Sequence, residues 1–205
     1  MIELDKTDGL WVVTINRQDK ANSVTEAMLQ EMSEIAEAAM DARGFILTGQ
    51  GKVFSAGADL EEVRNSGLAV SALWERLSTA IAALPCLSVA ALNGTLAGGS
   101  MGMALACDLR ISVPEANFFY PVLKRGVLPQ PSDPMRMAAL IGPARTKLIL
   151  MGGQKISAET AYTFGLIDKI VPGDELVTTA RDLLADSIAA DPAIVAGISG
   201  MCGPA

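Results

Sequence analysis

The chain has 205 residues, of which 50% are hydrophobic and 19% are charged, so it is long enough for one globular domain with a substantial core. Its net charge of −7 argues against a general nucleic-acid or anionic-membrane surface, because both require a basic face. The sequence contains no histidine, which excludes Ser-His-Asp and Cys-His catalysis and the usual zinc sites.

The first half of the chain alternates strand and helix signals. The Asp8-Gly9 pair between two half-apolar runs predicts a β-hairpin. Thr25 is placed to cap a helix over residues 26–40, whose apolar side chains recur at helical spacing. The next predicted elements are a buried strand over 44–51, a loop running into a helix over 52–63, and a second helix over 70–84 that Pro85 ends.

The second half continues this alternation and finishes in helices. A buried strand is predicted over 87–94, and a helix follows it within the glycine-rich stretch 93–110. The remaining predicted elements are strands over 107–113 and 117–122, helices over 134–141, 143–151 and 157–164, a short strand over 165–171 and a helix over 174–189. This order predicts an α/β fold with right-handed crossovers. The tail, 191–205, is interpreted as a helix start that dissolves into glycine and proline.

The run from Cys86 to Cys107 carries no charge and is long enough to span a bilayer. Asn93 and four glycines within it favour instead a buried strand followed by a buried helix. These two cysteines and Cys202 are interpreted as buried free thiols in a reducing compartment. No basic segment precedes an early apolar run, so no signal peptide is predicted and we expect a cytoplasmic location.

Two segments, 44–63 and 87–105, share one pattern: a buried strand, a glycine-rich turn and a helix. A helix start offers unpaired N–H groups, and glycine lets a ligand atom approach the backbone closely. Two such turns could aim two N–H groups at one thioester oxygen, as an oxyanion hole does. The alternative is that the glycines serve tight packing. A phosphate-binding loop is excluded, because no lysine follows Gly99 and no G-x-G-x-x-G pattern occurs.

Five motifs in order carry a family resemblance. The segments FSAGADL (54–60), ALNGTLAGG (91–99) and ACDLRIS (106–112), with INRQDKANSV (15–24) and KISAETAYTFGLIDKIVP (155–172), resemble the crotonase superfamily, also called enoyl-CoA hydratase/isomerase. The resemblance implies a crotonase-like spiral of repeated ββα units with a shortened C-terminal helical region. It divides the chain into a CoA-thioester-binding core (1–190) and a short tail (191–205).

The resemblance also implies a role in fatty acid metabolism, assembly as a homotrimer or hexamer, and no permanently bound cofactor or metal, with coenzyme A entering as part of the substrate. Family members continue for several dozen residues beyond DPAIVAG, so this is expected to be either a naturally short member or an incomplete chain.

The resemblance places the two oxyanion donors at the N–H groups of Ala58 and Gly99. It places the turn that contacts the adenine end of coenzyme A at residues 20–23, and Leu60 along the pantetheine and acyl channel. The full set of substrate-binding residues it implies is Lys20, Ala21, Ser23, Ala56, Asp59, Leu60, Leu96, Gly98, Tyr120, Pro121, Val122 and Gln130.

The sequence departs from the family at both catalytic glutamates of its hydratases. Those positions correspond here to Gly102 and Val122. Hydration of a double bond needs an acid and a base on the right face, so the usual hydratase reaction is disfavoured. The slot in which some relatives carry an aspartate falls at Gln130, which cannot act as a base.

Other polar residues could replace the missing glutamates, and each also has a structural interpretation. Asp133 is predicted to cap the helix that begins at Pro134, with a catalytic role as the alternative. Glu61 and Glu62 are predicted on a solvated helix face, or within reach of the acyl channel. Tyr120 is predicted to pack, or to act as a weak acid near Val122.

Lys124 and Arg125 are predicted as ordinary surface charges or as contacts to the phosphates of coenzyme A, and Asp108 is interpreted as structural.

Taken together, the motifs predict an acyl-CoA-processing enzyme that polarises a CoA thioester carbonyl. Isomerisation, decarboxylation and thioester hydrolysis are favoured over hydration, because each needs fewer protein carboxylates. The alternatives are a non-catalytic acyl-CoA-binding protein and an inactive subunit of a mixed oligomer.

Overall fold

The computed structural model of the chain describes residues 1–202; residues 203–205 of the predicted tail lie outside the described residues. The strands are β1 (Ile2–Thr7), β2 (Leu10–Ile15), β3 (Gly44–Gly49), β4 (Val53–Ser55), β5 (Ser88–Leu92), β6 (Thr95–Ala97), β7 (Leu109–Ser112), β8 (Asn117–Phe119), β9 (Ile156–Ser157) and β10 (Lys169–Ile170). The helices are α1 (Glu26–Ala38), α2 (Leu60–Ser66), α3 (Leu73–Ala82), α4 (Met101–Ala106), α5 (Val122–Arg125), α6 (Asp133–Leu150), α7 (Ala158–Phe164), α8 (Leu176–Ala189) and α9 (Pro192–Cys202).

The strands form two sheets that the chain visits alternately. The larger sheet has the order β1-β2-β3-β5-β7-β10, and the smaller sheet has the order β4-β6-β8-β9. Neighbours from β2 to β10 in the larger sheet, and from β4 to β8 in the smaller one, run parallel. The units β3-β4-α2, β5-β6-α4 and β7-β8-α5 each give one strand to each sheet and then a helix, whereas β1 and β2 both belong to the larger sheet. This confirms the predicted α/β spiral.

The local signals near the N-terminus act as predicted. Asp8 and Gly9 adopt positive φ angles of 52° and 81°, and they join β1 to β2 in an antiparallel hairpin. The Thr25 side chain accepts a hydrogen bond from the Met28 N–H and so caps α1. The strand β3 is buried along its whole length, as expected for a strand covered on both faces.

Several elements differ from the sequence-based expectation. The strands β4 and β6 are not predicted from the sequence. Each has only three residues and is followed directly by a glycine-rich turn, whose sequence is typical of a loop. The two helices predicted over 134–141 and 143–151 are confirmed: they are the two arms of α6, which are separated by a non-helical break at Gly142, where φ is 79°. The prediction that the tail dissolves after a helix start is wrong for the described residues, because α9 continues to Cys202.

The uncharged run from Cys86 to Cys107 contains β5, β6 and α4, which are largely buried, so the strand-and-helix interpretation is confirmed. Within residues 1–202 no single helix is both long enough and apolar enough to cross a membrane. The pair α8 and α9 meets those two criteria jointly but is bent by 113°.

Burial raises the pKa of the Cys86 thiol to about 11 and that of Cys107 to about 12. Cys202, in contrast, is exposed, so the prediction that all three thiols are buried is wrong at this position.

Replacing Thr25 with valine should lower the free energy of unfolding by about 1 kcal/mol, because the cap of α1 is lost while the side-chain shape is kept. Thr25→Ser, which keeps the hydroxyl, is the matched control and should cost less. Urea denaturation measures both, and a valine variant as stable as the serine variant would show that the cap contributes nothing.

Candidate active site

Two glycine-rich turns, one after β4 and one after β6, contact each other. Gly57 and Gly98 both adopt left-handed conformations, with φ angles of 92° and 61°. A Cβ atom added to Gly57 would lie 2.9 Å from the Ala97 carbonyl oxygen, and one added to Gly98 would lie 3.5 Å from the Gly57 Cα. The turns therefore approach backbone to backbone, and glycine is required where they contact.

A hydrogen bond between two buried serine hydroxyls connects the two turns. Ser55 ends β4 and Ser100 precedes α4, and their Oγ atoms lie 2.6 Å apart. Ser55 Oγ also donates to the Asn22 carbonyl oxygen and accepts the Gly57 N–H. Because both serines are fully buried, these hydrogen bonds fix the position of one turn relative to the other.

The backbone N–H groups of Ala58 and Gly99 are unpaired. Neither donates to a protein acceptor among the described residues, although the neighbouring Asp59 N–H bonds to the Val24 carbonyl oxygen. Both residues line one cavity. Two residues whose N–H groups have no acceptor within residues 1–202 therefore border the same space. Two such donors aimed at one oxygen would stabilise a developing negative charge on it.

The cavity has a volume of about 390 Å³ and walls that are mostly apolar. The indole of Trp74 lies against Gly99, since a Cβ atom there would be 3.2 Å from the ring. The Trp74 Nε1–H donates to the Leu68 carbonyl oxygen, which fixes the ring orientation. The sequence-predicted site residues that line this cavity are Ala56, Ala58, Leu60, Gly98, Gly99, Tyr120, Pro121 and Val122.

Eight residues line the cavity although the sequence did not predict them as site residues. They are Gly57, Val63, Ala69, Trp74, Ala97, Phe119, Val127 and Leu128. Their apolar character resembles that of core residues, so pattern alone gave no signal for most of them. Leu128 is an exception. It lies in a loop between Gly126 and Pro129, where a core residue is unusual, so its position gave a signal for a site residue.

Lys124 and Arg125, in the last turn of α5, also line the cavity and are exposed. They are the cations on its wall, and so remain candidates for phosphate contacts.

The other predicted substrate-binding residues lie outside the cavity lining. They are Lys20, Ala21, Ser23, Asp59, Leu96 and Gln130. The turn at 20–23 nevertheless contacts the first glycine-rich turn, because the Ala56 N–H donates to the Ala21 carbonyl oxygen. Leu96 is buried within β6, and the Gln130 amide donates to the Ala69 carbonyl oxygen. Their roles toward substrate stay predictions.

Asp59 has a structural role that the sequence analysis did not assign. Its carboxylate accepts the N–H groups of Glu61 and Glu62 at the start of α2, and it forms an ion pair with Arg17 at 2.7 Å. The hydrogen bond from Arg17 holds the pKa of Asp59 below its ordinary value.

The two glutamates beside Asp59 do not line the cavity. Glu62 instead accepts the Glu26 N–H at the start of α1. No carboxylate lines the cavity among residues 1–202, and Val122 stands on its wall.

One carboxyl group does lie directly behind that wall. Asp133 is fully buried, and a Cβ atom added to Gly102 would lie 2.5 Å from its Oδ1 atom. Tyr120 Oη donates to Asp133 Oδ2 at 2.9 Å, and Oδ1 has no hydrogen-bond partner among the described residues. The prediction that Asp133 caps a helix is wrong: Ser132 is the cap residue, and the Asp133 side chain turns inward instead.

The surroundings of Asp133 favour its neutral form. Burial raises the pKa of this carboxyl to about 7; the Tyr120 hydrogen bond and Arg136 oppose the shift, and the Glu75 carboxylate adds to it. Burial, followed by the charge of Asp133, also raises the pKa of Tyr120. A carboxyl group with a pKa near neutrality beside a cavity is the kind of group that acid–base catalysis uses.

An α/β spiral whose two glycine-rich turns border one apolar cavity is the architecture expected of a crotonase-type protein. The chain belongs to the enoyl-CoA hydratase/isomerase family, whose model matches residues 5–200. It is 32% identical over 188 residues to a short-chain-enoyl-CoA hydratase of Clostridium acetobutylicum, a match that covers 88% of this chain and 72% of that enzyme.

Two further comparisons agree with this assignment. The crotonyl-CoA hydratase of Syntrophomonas wolfei is 31% identical over 190 residues, which cover 89% of this chain and 73% of that protein. The crystal structure of an enoyl-CoA hydratase from Bacillus anthracis superposes with a TM-score of 0.88 at 30% identity. That superposition covers 97% of this chain and 81% of the other.

Gly102→Ala should destabilise the protein by roughly 1–3 kcal/mol, because the new methyl group displaces the Asp133 carboxyl from Tyr120. In an Asp133→Ala background the same change should be neutral or stabilising, since alanine favours a helix over glycine by about 1 kcal/mol. A double-mutant cycle by urea denaturation measures this coupling. Equal effects of Gly102→Ala in both backgrounds would contradict the packing of Asp133 against Gly102.

The raised pKa of Asp133 also predicts a pH dependence of stability. The folded-state value of about 7 lies above the ordinary value of 3.8, so the folded protein holds this proton more tightly. The stabilising contribution is complete below about pH 4 and is lost as the pH rises through 7. Relative to Asp133→Asn, the wild-type free energy of unfolding should therefore fall from pH 4 to pH 8. A constant difference across that range would contradict the shift.

Proposed function

We propose that this protein is an acyl-CoA-processing enzyme in which the Ala58 and Gly99 N–H groups polarise a CoA thioester carbonyl. The observation that supports the proposal is that Ala58 and Gly99, whose N–H groups have no acceptor within residues 1–202, both line one apolar cavity. As the thioester becomes an enolate or a tetrahedral anion, its oxygen gains negative charge. Preorganised donors in such a site stabilise that charge by several kcal/mol, about 2.7–4 for one donor.

The residues of the cavity favour chemistry that passes through an enolate over hydration. Hydration of an enoyl group needs an acid and a base in contact with substrate, and the two family positions for them are Gly102 and Val122. Isomerisation and decarboxylation need the enolate stabilised, with fewer protein carboxylates. Thioester hydrolysis uses the same two donors for a tetrahedral anion.

The cations near the cavity support a CoA thioester as the substrate. Lys124 and Arg125 lie on its wall, and Lys20 is in the turn that contacts the first glycine-rich turn. Phosphate groups of coenzyme A would pair with such side chains. Relatives named as hydratases of short-chain enoyl-CoA and crotonyl-CoA favour the same substrate class. A homotrimeric or hexameric assembly and a cytoplasmic location belong to the same proposal.

A non-catalytic acyl-CoA-binding protein is the second candidate, either alone or as an inactive subunit of a mixed oligomer. It is favoured by one observation: no carboxylate lines the cavity in the described part of the chain. Such a protein would bind thioesters tightly and turn none of them over.

Gly99→Pro should lower kcat/KM by about 100- to 1000-fold, because proline has no N–H to donate to the thioester oxygen. Gly99→Ala is the control: it brings a Cβ atom to 3.2 Å from the Trp74 ring, as proline also does, but keeps the N–H, so it should retain much more of the activity than Gly99→Pro. The measurement is turnover of a panel of enoyl-, malonyl-type and hydroxyacyl-CoA thioesters by the wild type and both variants.

Two results would decide against the enzyme. Tight binding of the panel without turnover of any member would favour the acyl-CoA-binding protein. Full activity of Gly99→Pro would exclude the Gly99 N–H as an oxyanion donor.

A further inference from the structure

The buried carboxyl of Asp133 occupies space that the backbone of α4 leaves open. Only glycine fits at position 102, because even a Cβ atom would lie 2.5 Å from Asp133 Oδ1. A glutamate at position 102 and an aspartate at position 133 are therefore mutually exclusive in this packing. At the position where the family resemblance places a hydratase glutamate on α4 the chain has Gly102, and the Asp133 carboxyl, on α6, lies against that point of the backbone.

Tyr120 connects this carboxyl to the cavity. Tyr120 is one of the residues that line the cavity, and its Oη atom donates a hydrogen bond to Asp133 Oδ2 at 2.9 Å. The hydrogen-bonded pair of Tyr120 and Asp133 thus links a residue of the cavity lining to a fully buried carboxyl group. The second oxygen, Oδ1, is buried without a hydrogen-bond partner in the part of the chain that the structure describes. An unsatisfied buried carboxylate oxygen is costly, which makes this group ready to take up a proton.

We propose that Tyr120 and Asp133 form the proton relay of this active site, Tyr120 as the catalytic residue and Asp133 as the positioning residue that acts through it. The inference rests on the proposed function, because the relay serves a thioester whose oxygen lies at Ala58 and Gly99. It deepens that proposal by assigning an acid–base group to a cavity that no carboxylate of residues 1–202 lines.

The relay is balanced in both directions. Tyr120 Oη takes a proton from the α-carbon of the thioester as the phenol hydrogen passes to the Asp133 carboxylate. The C–H electron pair moves into the enolate, whose oxygen the two N–H groups hold. In reverse, Asp133 returns its proton to Tyr120 Oη, and the phenol proton forms a new C–H bond. No other reactant is consumed, and the Tyr120-to-Asp133 hydrogen bond in the structure is the starting arrangement for proton removal.

The groups around Asp133 allow it both to hold and to release a proton. Glu75, on α3, and Arg136, on α6, are the charged neighbours, and both bond to Ser132 beside it. Helix α4 presents only Gly102 at this point and contributes no titratable group. Burial and Glu75 raise the pKa of Asp133, whereas Tyr120 and Arg136 lower it, so that it lies at about 7. Both protonation states are therefore accessible near neutral pH.

Deuterium uptake at the α-carbon of butyryl-CoA in D₂O, followed by mass spectrometry, tests the relay without requiring knowledge of the full reaction. The wild type should catalyse exchange. Asp133→Asn and Tyr120→Phe should each lower the exchange rate at least about 100-fold, because each removes a proton carrier while keeping the shape of the side chain. Butyryl-CoA binding, measured by calorimetry, should be retained in both variants.

The pH profile separates the relay from a merely structural role. Proton removal requires ionised Asp133, so the wild-type exchange rate should rise with pH up to about 7 and then level off. The residual exchange of Asp133→Asn should lack this step. Asp182→Asn is the matched control, since Asp182 is exposed on α8 and does not line the cavity; it should keep the wild-type rate and profile.

Failure of the relay is distinguishable from failure of the proposed function. Wild-type exchange that persists at full rate in Asp133→Asn or Tyr120→Phe would overturn the relay alone. Binding of butyryl-CoA without exchange by the wild type would also overturn it, and turnover of the thioester panel would then decide the proposed function separately. Absence of binding would overturn the proposed function, and the relay with it.

Discussion

The close approach of two glycine-rich turns is the constraint on which the rest of the site depends. Gly57 and Gly98 let the backbones after β4 and β6 contact directly, and the Ser55–Ser100 hydroxyl pair locks them in that position. The residues that follow these glycines, Ala58 and Gly99, both line the same cavity, and their N–H groups have no acceptor within residues 1–202. The parallel pairing of β4 with β6 makes the arrangement possible, since it brings the ends of both strands to one edge of the small sheet.

The elements that depend only on a few adjacent residues could be predicted from the sequence. The Asp8-Gly9 hairpin, the Thr25 cap and the glycine-rich turns all follow from backbone preferences of a few adjacent residues. The cavity-lining residues near the family motifs could also be predicted, because the motifs place them on the two turns. Trp74 could not be, since its position under Gly99 depends on how α3 packs and not on any local pattern.

Asp133 shows why the interpretation that the sequence favoured, a helix cap, was wrong. An aspartate immediately before a proline at a helix start normally predicts a cap, because its carboxylate can accept the first free N–H groups. Here a distant glycine on α4 leaves a space and Tyr120 offers a hydrogen bond, and these two long-range contacts turn the side chain inward. Gly102, interpreted from sequence only as a lost glutamate, is thus also the residue that admits another carboxyl.

The account predicts a definite geometry for a bound thioester, and a crystal structure of the protein with butyryl-CoA would measure it most directly. The thioester oxygen should lie about 2.7–3.1 Å from both the Ala58 and the Gly99 nitrogen atoms, with the α-carbon facing Tyr120. A thioester oxygen that points away from either nitrogen, or an acyl group bound outside this cavity, would contradict the account.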